Sequence, residues 1–295
     1  MNLIKLTDLA KEKIIGIIEL AFSLKKYPLK YNKILIGKNL LFGSEKPSLR
    51  TRLSFEVAMS HLGGNCIYYD LKDSTIGKKE SWKDAAKVLE KYVDIISLRV
   101  FEHEIFEEIT DNTKTPVINA LSNKYHPLQA LADLMTIKEK FGRIKNIKLA
   151  YVGNGDCNVL HSLILASAMF DINLKIGCPK KLSPLKKVVK EANSIGISLS
   201  ITDDPKKAVK DADVVYTDTW ESYHNEKNLS KTLKPYQVNT NLMKLTNNAV
   251  FMHCLPAHRG KEVTNSVIDS KKSIVYQQAE NRLHTQKAIL LKLLC

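Results

Sequence analysis

Two kinds of apolar segment alternate along this chain. Apolar residues recur at helical spacing over residues 9–25, 50–63, 82–92, 127–141, 158–169, 183–195 and 281–294. Between and around them stand short apolar or β-branched runs: "ILIGKNLLFG", "NCIYYD", "IISLRV", "PVINA", "IKLAYVG", "LKIGCP", "SLSIT", "VVYTD", "AVFMHC" and "SIVYQ". Helices returning the chain between strands build parallel sheets and cover both of their faces, so the alternation predicts an α/β fold. Ten strands in 295 residues fit two sheets of four or five better than one of ten. The long helical pattern after His126 is the best bridge between them. This places one domain at residues 1–139 and a second at 140–280, joined by interdomain helices, with the last helix, 281–295, packing back on the first domain. In open parallel sheets ligands collect at the C-terminal ends of the strands, which is where chemistry is to be sought.

Composition narrows the function classes. The apolar fraction of 44% supports real cores, and no apolar run approaches the roughly eighteen residues of a membrane span. The start, "MNLIKLTDLAKEKI", breaks its apolar stretch with Lys and Asp too soon for a signal peptide, so the expected address is the cytoplasm. Five cysteines form no C-x-x-C pair and an odd set, which predicts free thiols and no structural zinc. A net charge of +14 suits a nucleic-acid binder, a membrane-surface protein or an enzyme for anionic substrates. The lysines are scattered, often beside Asp or Glu, with no aromatic-interleaved basic stripe, which argues against nucleic acid and membrane as partners.

Six motifs sit just after predicted strands. "KPSLRTRLSFE" puts Ser48, Leu49, Arg50 and Thr51 at a helix N-terminus, where unpaired N–H groups, hydroxyls and a guanidinium suit a phosphate; the bland alternative is an ordinary cap by Ser48. Arg99 ends the apolar run "ISLRVF". In "NKYHPLQALAD", Pro127 marks the first helical turn, so His126 and Gln129 stand at its mouth, the one able to polarise a carbonyl, the other to bind an amide. "YVGNGDCNVLHS" resembles a dinucleotide turn, but Asn158 replaces the third glycine of G-x-G-x-x-G and no acidic residue closes the next strand. Asn158 suits a carboxylate instead. "DVVYTDTWES" ends in Asp218, with Ser222 beyond it, and Asp at a strand end can bind an amine or merely form a turn. "FMHCLPAHRG" sets Cys254 beside two histidines, and its Cys-Leu-Pro turn exposes the Leu255 carbonyl and brings Arg259 nearby. Arg282, in "QAENRLHTQKAI", supplies one more cation. There is no Ser-His-Asp order, metal cage or paired-carboxylate arrangement; the ensemble suits a phosphate-bearing substrate and an amine.

In order and approximate spacing, "SLRTR", "HPLQ", "DTWES", "HCLPAHRG" followed by "EV", and "QAENRLHTQKA" resemble the ornithine branch of the aspartate/ornithine transcarbamylase family, from about residue 3 to the C-terminus. The resemblance implies a two-domain α/β subunit in a homotrimer with shared active sites, no cofactor and no metal, and the carbamoylation of L-ornithine by carbamoyl phosphate, as in arginine biosynthesis. It places the phosphate cradle on Ser48, Leu49, Arg50 and Thr51, with Leu49 where the family carries Thr. Arg99, His126, Gln129 and Arg282 match residues around the carbamoyl group and phosphate. Asn158, Asp218, Ser222 and Tyr223 match ornithine-contacting positions, and Cys254 and Leu255 the pair beside the reacting amine, both expected also to meet carbamoyl phosphate, with the Leu255 carbonyl and Gln129 fixing its NH2; catalysis is expected of Arg99, His126, Asp218 and Cys254.

This chain reads Ser222, Tyr223, His224 where the ornithine branch usually has Ser-Met-Gly, so the reaction class is more firmly implied than the acceptor. Thr75 stands where Gln is common, in the loop "DSTIGKKES" that a neighbouring subunit lends; Lys78 or Lys79 is a candidate phosphate contact there, against the plainer reading of a solvated pair. The alternative acceptors are putrescine and an N-acylornithine. A basic nucleic-acid-binding module predicts salt-dependent binding of DNA or RNA, and a nicotinamide-dependent dehydrogenase predicts NAD(H) binding.

Overall fold

The structure, a computed structural model, describes residues 1–197, 199–220 and 229–295. The chain divides into two compact units, Met1–Met135 with Glu280–Cys295, and Thr136–Ala279.

The first unit runs α1 (Lys11–Lys26), β1 (Asn39–Ser44), α2 (Leu49–Leu62), β2 (Asn65–Asp70), α3 (Trp82–Leu89), β3 (Ile95–Arg99), α4 (Ile105–Thr110), β4 (Val117–Leu121) and the start of α5 (Pro127–Phe141). Its four strands lie in the order β2-β1-β3-β4, all parallel. The central strands are nearly continuous apolar runs because helices cover both faces, and Leu41, Ile96, Leu98, Phe106 and Val117 share one core cluster. The extended run expected from Ile34 begins only at Asn39: residues 28–37 are turns, ending at Gly37 with φ 79°. Gly63 ends α2 at φ 86°, where a Cβ would also approach the Asn32 carbonyl to 3.0 Å.

The second unit runs β5 (Lys148–Val152), α6 (Asn158–Phe170), β6 (Asn173–Gly177), α7 (Lys186–Ile195), β7 (Ser200–Thr202), α8 (Pro205–Val209), β8 (Val214–Thr217), α9 (Ser230–Leu233), α10 (Thr240–Met243), β9 (Val250–His253), α11 (Asn265–Ile268) and the start of α12 (Val275–Leu294). Among its described residues five parallel strands lie in the order β7-β6-β5-β8-β9. The division between the units falls within α5 and within α12.

"SIVYQ" is not a strand. Phe251 N–H donates to the Lys272 carbonyl at 2.9 Å and Ile274 N–H to the Phe251 carbonyl at 3.0 Å, a lone bridge beside β9. From there Gln278 N–H reaches back to the Ile274 carbonyl at 2.9 Å and α12 has begun. The β-branched Ile274 and Val275 read as strand, but the helix-favouring residues after them draw the segment into α12. Among the described residues no helix is long and apolar enough to cross a membrane. All five cysteines are free.

Candidate active site

In the first unit the strand order places the ends of β1, β3 and β4 side by side, and the sequence following each carries a candidate: Ser48–Thr51 after β1, Arg99 closing β3, and His126 after β4. Ser48 occupies the N-cap position of α2, yet its side chain makes no cap hydrogen bond, so the bland reading of an ordinary side-chain cap does not hold. Leu49, at the first helical position, is 68% exposed, whereas Thr51 is 2% exposed.

Arg282 is the hub. It is 3% exposed on α12, donating through Nη1 to Gln129 Oε1 at 2.8 Å and through Nη2 to Thr51 Oγ1 at 3.2 Å. Its Nη1 also faces His126 Nε2 at 3.5 Å. Since a guanidinium can only donate, Nε2 presents its lone pair and the imidazole hydrogen of a neutral ring resides on Nδ1. Burial, and then the charges of Arg282, Arg99 and Arg50, hold the His126 pKa well below the usual range, so the ring is neutral at physiological pH. Gln129 Nε2 donates to Asp133 Oδ1 at 2.9 Å, one helical turn on, which fixes the amide's orientation. Asp133 was missed in the sequence, although the i,i+4 spacing in "HPLQALAD" is a visible signal.

In the second unit β5, β8 and β9 are adjacent, and past their C-terminal ends lie Asn158, Asp218 and Cys254. Cys254 Sγ donates to Asp218 Oδ1 at 2.9 Å, and Thr219 N–H donates to the same oxygen at 2.7 Å. Asp218 is therefore more than a turn-former. Asn158 opens α6 and is 8% exposed. Leu255 follows Cys254 with φ 56°, a conformation costly for a branched residue, and its N–H donates to His253 Nδ1 at 2.8 Å. His253 Nε2 then carries the hydrogen of a neutral ring and faces Glu262 Oε1 at 3.4 Å, both residues fully buried. Glu262 also accepts from His258 N–H. Glu262 was not singled out in the sequence, since nothing there shows that a carboxylate nine residues from His253 is buried against it.

Asp218, His253 and Cys254 each bring a potential ligand atom within 4.8 Å of the others. His253 Nδ1 already accepts from Leu255 N–H, so a cation binding at that nitrogen would require it to release Leu255. Arg259 is turned elsewhere, bidentate to Asp269 at 2.6 and 2.8 Å. Lys78 donates to the Lys72 carbonyl at 2.6 Å. Ser222, Tyr223 and His224 lie outside the described residues.

The glycines of "YVGNG" serve packing. A Cβ on Gly155 would meet the Leu182 carbonyl oxygen at 2.3 Å, and Gly153 sits at φ 139° against Thr217. Burial pushes the neighbouring Cys157 thiol up to about 12, making it an unreactive core residue; the Tyr151 hydroxyl donates to the Asn154 carbonyl at 3.0 Å, so the thiol is the donor in its 3.2 Å contact with the hydroxyl oxygen.

Comparison with known proteins matches both halves. Residues 1–139 match the carbamoyl-P binding domain of aspartate/ornithine carbamoyltransferase, and residues 145–293 its Asp/Orn binding domain. The chain is 46% identical to a Methanocaldococcus jannaschii protein named ornithine carbamoyltransferase, over 98% of this chain and 97% of that one. A solved ornithine carbamoyltransferase from Pyrococcus furiosus superposes with a TM-score of 0.93 at 46% identity, over 98% of this chain and 95% of that chain. A solved anabolic ornithine carbamoyltransferase from Campylobacter jejuni does so with a TM-score of 0.92 at 35% identity, over 99% and 98%.

Proposed function

Because the chain belongs to the aspartate/ornithine carbamoyltransferase family, we propose that it transfers the carbamoyl group of carbamoyl phosphate to the δ-amine of L-ornithine, giving L-citrulline and phosphate. The observation that carries this reading is the Arg282 hub, a buried cation that donates to Gln129 and Thr51 beside a neutral histidine and the N-terminus of α2. Such a group receives an anion and a carbonyl together.

Each residue has a role in the reading. Arg50 and the backbone N–H groups from Ser48 to Thr51, with the Ser48 hydroxyl, bind the phosphate. Thr51, Arg99 and Arg282 polarise the carbonyl where negative charge develops during attack. His126 joins them as a neutral donor, which leaves it no proton to surrender to the phosphate. Gln129 binds the carbamoyl NH2 through Oε1, whose second lone pair Arg282 leaves available. Asp218 and Cys254 orient the δ-amine, and Asn158, Ser222 and Tyr223 hold the amino-acid end. The ammonium first loses a proton; the nitrogen lone pair then forms the C–N bond, the C–O bond to phosphate breaks with its electron pair, and the amine's second proton departs. Both steps are heterolytic, so no redox cofactor is drawn upon.

Supporting the choice of ornithine over putrescine is Asn158, a carboxylate partner that putrescine does not need. Assay of the purified protein with carbamoyl phosphate and ornithine, putrescine or N-acetylornithine tests it: citrulline is the expected product, and preferred turnover of putrescine overturns it. The same reading places the protein in the cytoplasm, in arginine biosynthesis, as a homotrimer. The anabolic relatives support the pathway, and the exposed Ile67, Tyr69, Val88 and Tyr92 of the first unit suit contact with another copy. A sedimentation mass of three chains is the expected result.

A further inference from the structure

We infer that Glu45 is a positioning residue for Arg99, its carboxylate extending the β1–β3 ladder past the point where the β1 backbone turns away. The paired register of these strands ends at Ser44 and Arg99, and Glu45 N–H donates to the Arg99 carbonyl at 2.9 Å. The chain then leaves the sheet through Lys46 and Pro47 to enter α2, and the backbone no longer accompanies β3. The next N–H on that edge of β3, that of Phe101, is accepted instead by Glu45 Oε2. One residue thus grips β3 on both sides of Val100, with its main-chain donor before and its side-chain acceptor after.

This grip matters because the other edge is irregular. The β3–β4 register shifts between Leu98 and Arg99, so on that edge regular pairing does not set where Arg99 emerges, and the β1 edge, regular through Ser44 and Arg99 and continued by Glu45, does. Past the bulge, Val100 N–H reaches the Leu121 carbonyl at 3.0 Å and Asn123 N–H reaches the Phe101 carbonyl at 2.9 Å. Lys46 Nζ lies 4.5 Å over the Phe101 ring, a second brace from the same segment. Glu45 is half-buried, with Lys78 and Glu102 near enough to perturb it, and burial pushes its pKa up. A carboxylate with no structural task would gain by turning to water.

The inference rests on the assignment of Arg99 to carbamoyl phosphate, and the test separates the two. Steady-state constants for both substrates and thermal midpoints are measured for wild type, Glu45→Ala, Glu45→Asp, Glu45→Gln and Arg99→Ala. Loss of one hydrogen bond to a charged group predicts a rise of about tenfold in KM for carbamoyl phosphate in Glu45→Ala, with KM for ornithine moving less than about twofold. Glu45→Asp, one methylene short of Phe101, keeps the charge and shows the same rise, so the test stands if the alanine variant does not fold. Glu45→Gln retains an acceptor oxygen at full reach and restores the wild-type KM. Unchanged carbamoyl phosphate kinetics in Glu45→Ala and Glu45→Asp beside an impaired Arg99→Ala overturn the role of Glu45. A Gln variant as impaired as the Ala variant overturns it also, because charge rather than reach is then what matters. Wild-type kinetics in Arg99→Ala overturn the assignment of Arg99 and with it this inference.

Discussion

Arg282 and Gln129, 153 residues apart in sequence, are joined by a 2.8 Å hydrogen bond from guanidinium to amide carbonyl with both side chains almost wholly buried. The acceptors Gln129 and Thr51 are both neutral, so these bonds orient the positive charge of Arg282 without cancelling it. A desolvated cation so placed attracts an incoming anion more strongly than a surface arginine does.

Arg282→Ala removes that charge and two donors. With about 1.5–3 kcal/mol for each hydrogen bond to a charged group, kcat/KM for carbamoyl phosphate falls at least tenfold, and by several hundredfold if both bonds strengthen in the transition state. Arg282→Lys does not restore it, since an ammonium cannot span Gln129 and Thr51 as the planar fork does. Steady-state kinetics at saturating ornithine measure this.

Cys254 and Asp218 form a coupled pair, thiol donating to carboxylate at 2.9 Å. Asp218→Asn and Cys254→Ala each raise KM for ornithine, and Asp218→Asn leaves affinity for carbamoyl phosphate near wild type. The double variant costs less than the sum of the two, with a coupling of about 0.5–3 kcal/mol in a double-mutant cycle.

His126 links acidity to stability. Its folded pKa is depressed, while the unfolded value is about 6.5. Above that value the ring is neutral in both states and its contribution is fully present. As pH falls through 6.5 the unfolded chain takes up a proton that the folded protein refuses, and stability is lost. Burial lowers the His284 pKa and adds in the same direction. Urea midpoints from pH 8 to 5 therefore fall for the wild type and fall less steeply for His126→Gln. Parallel profiles contradict the assignment.

Leu49 stands exposed where the related family carries Thr, at the first residue of α2. Leu49→Thr adds a hydroxyl at a helix N-terminus without emptying any core. Stability changes by less than about 0.5 kcal/mol, while KM for carbamoyl phosphate falls by up to about tenfold. Thermal melts and kinetics of this variant measure the two effects separately.

Much of this was legible because parallel α/β architecture writes itself as alternating periods, and because ligand-binding residues follow strand ends in sequence as they do in space. Ser48, Arg99, His126, Asp218 and Cys254 were singled out that way, and each lies at or just past the C-terminal end of a strand. What resisted reading depended on partners distant in sequence or on burial. "SIVYQ" has the composition of a strand, and only its position beside Phe251 shows that it starts a helix. Arg259 sits in the right motif, but its chelation of Asp269 is a surface event that no pattern announces. Glu45 and Glu262 look like solvated acids until their backbone partners are seen.

The proposed function divides the labour between two sets of residues, with carbamoyl phosphate bound through Thr51, Gln129 and Arg282 and ornithine through Asp218 and Cys254. Calorimetric titration of carbamoyl phosphate into wild type, Arg282→Ala and Asp218→Asn separates the two sets. The prediction is binding to wild type and Asp218→Asn with similar affinity and at least tenfold weaker binding to Arg282→Ala. Equal affinity of all three proteins, or weakening only in Asp218→Asn, contradicts it.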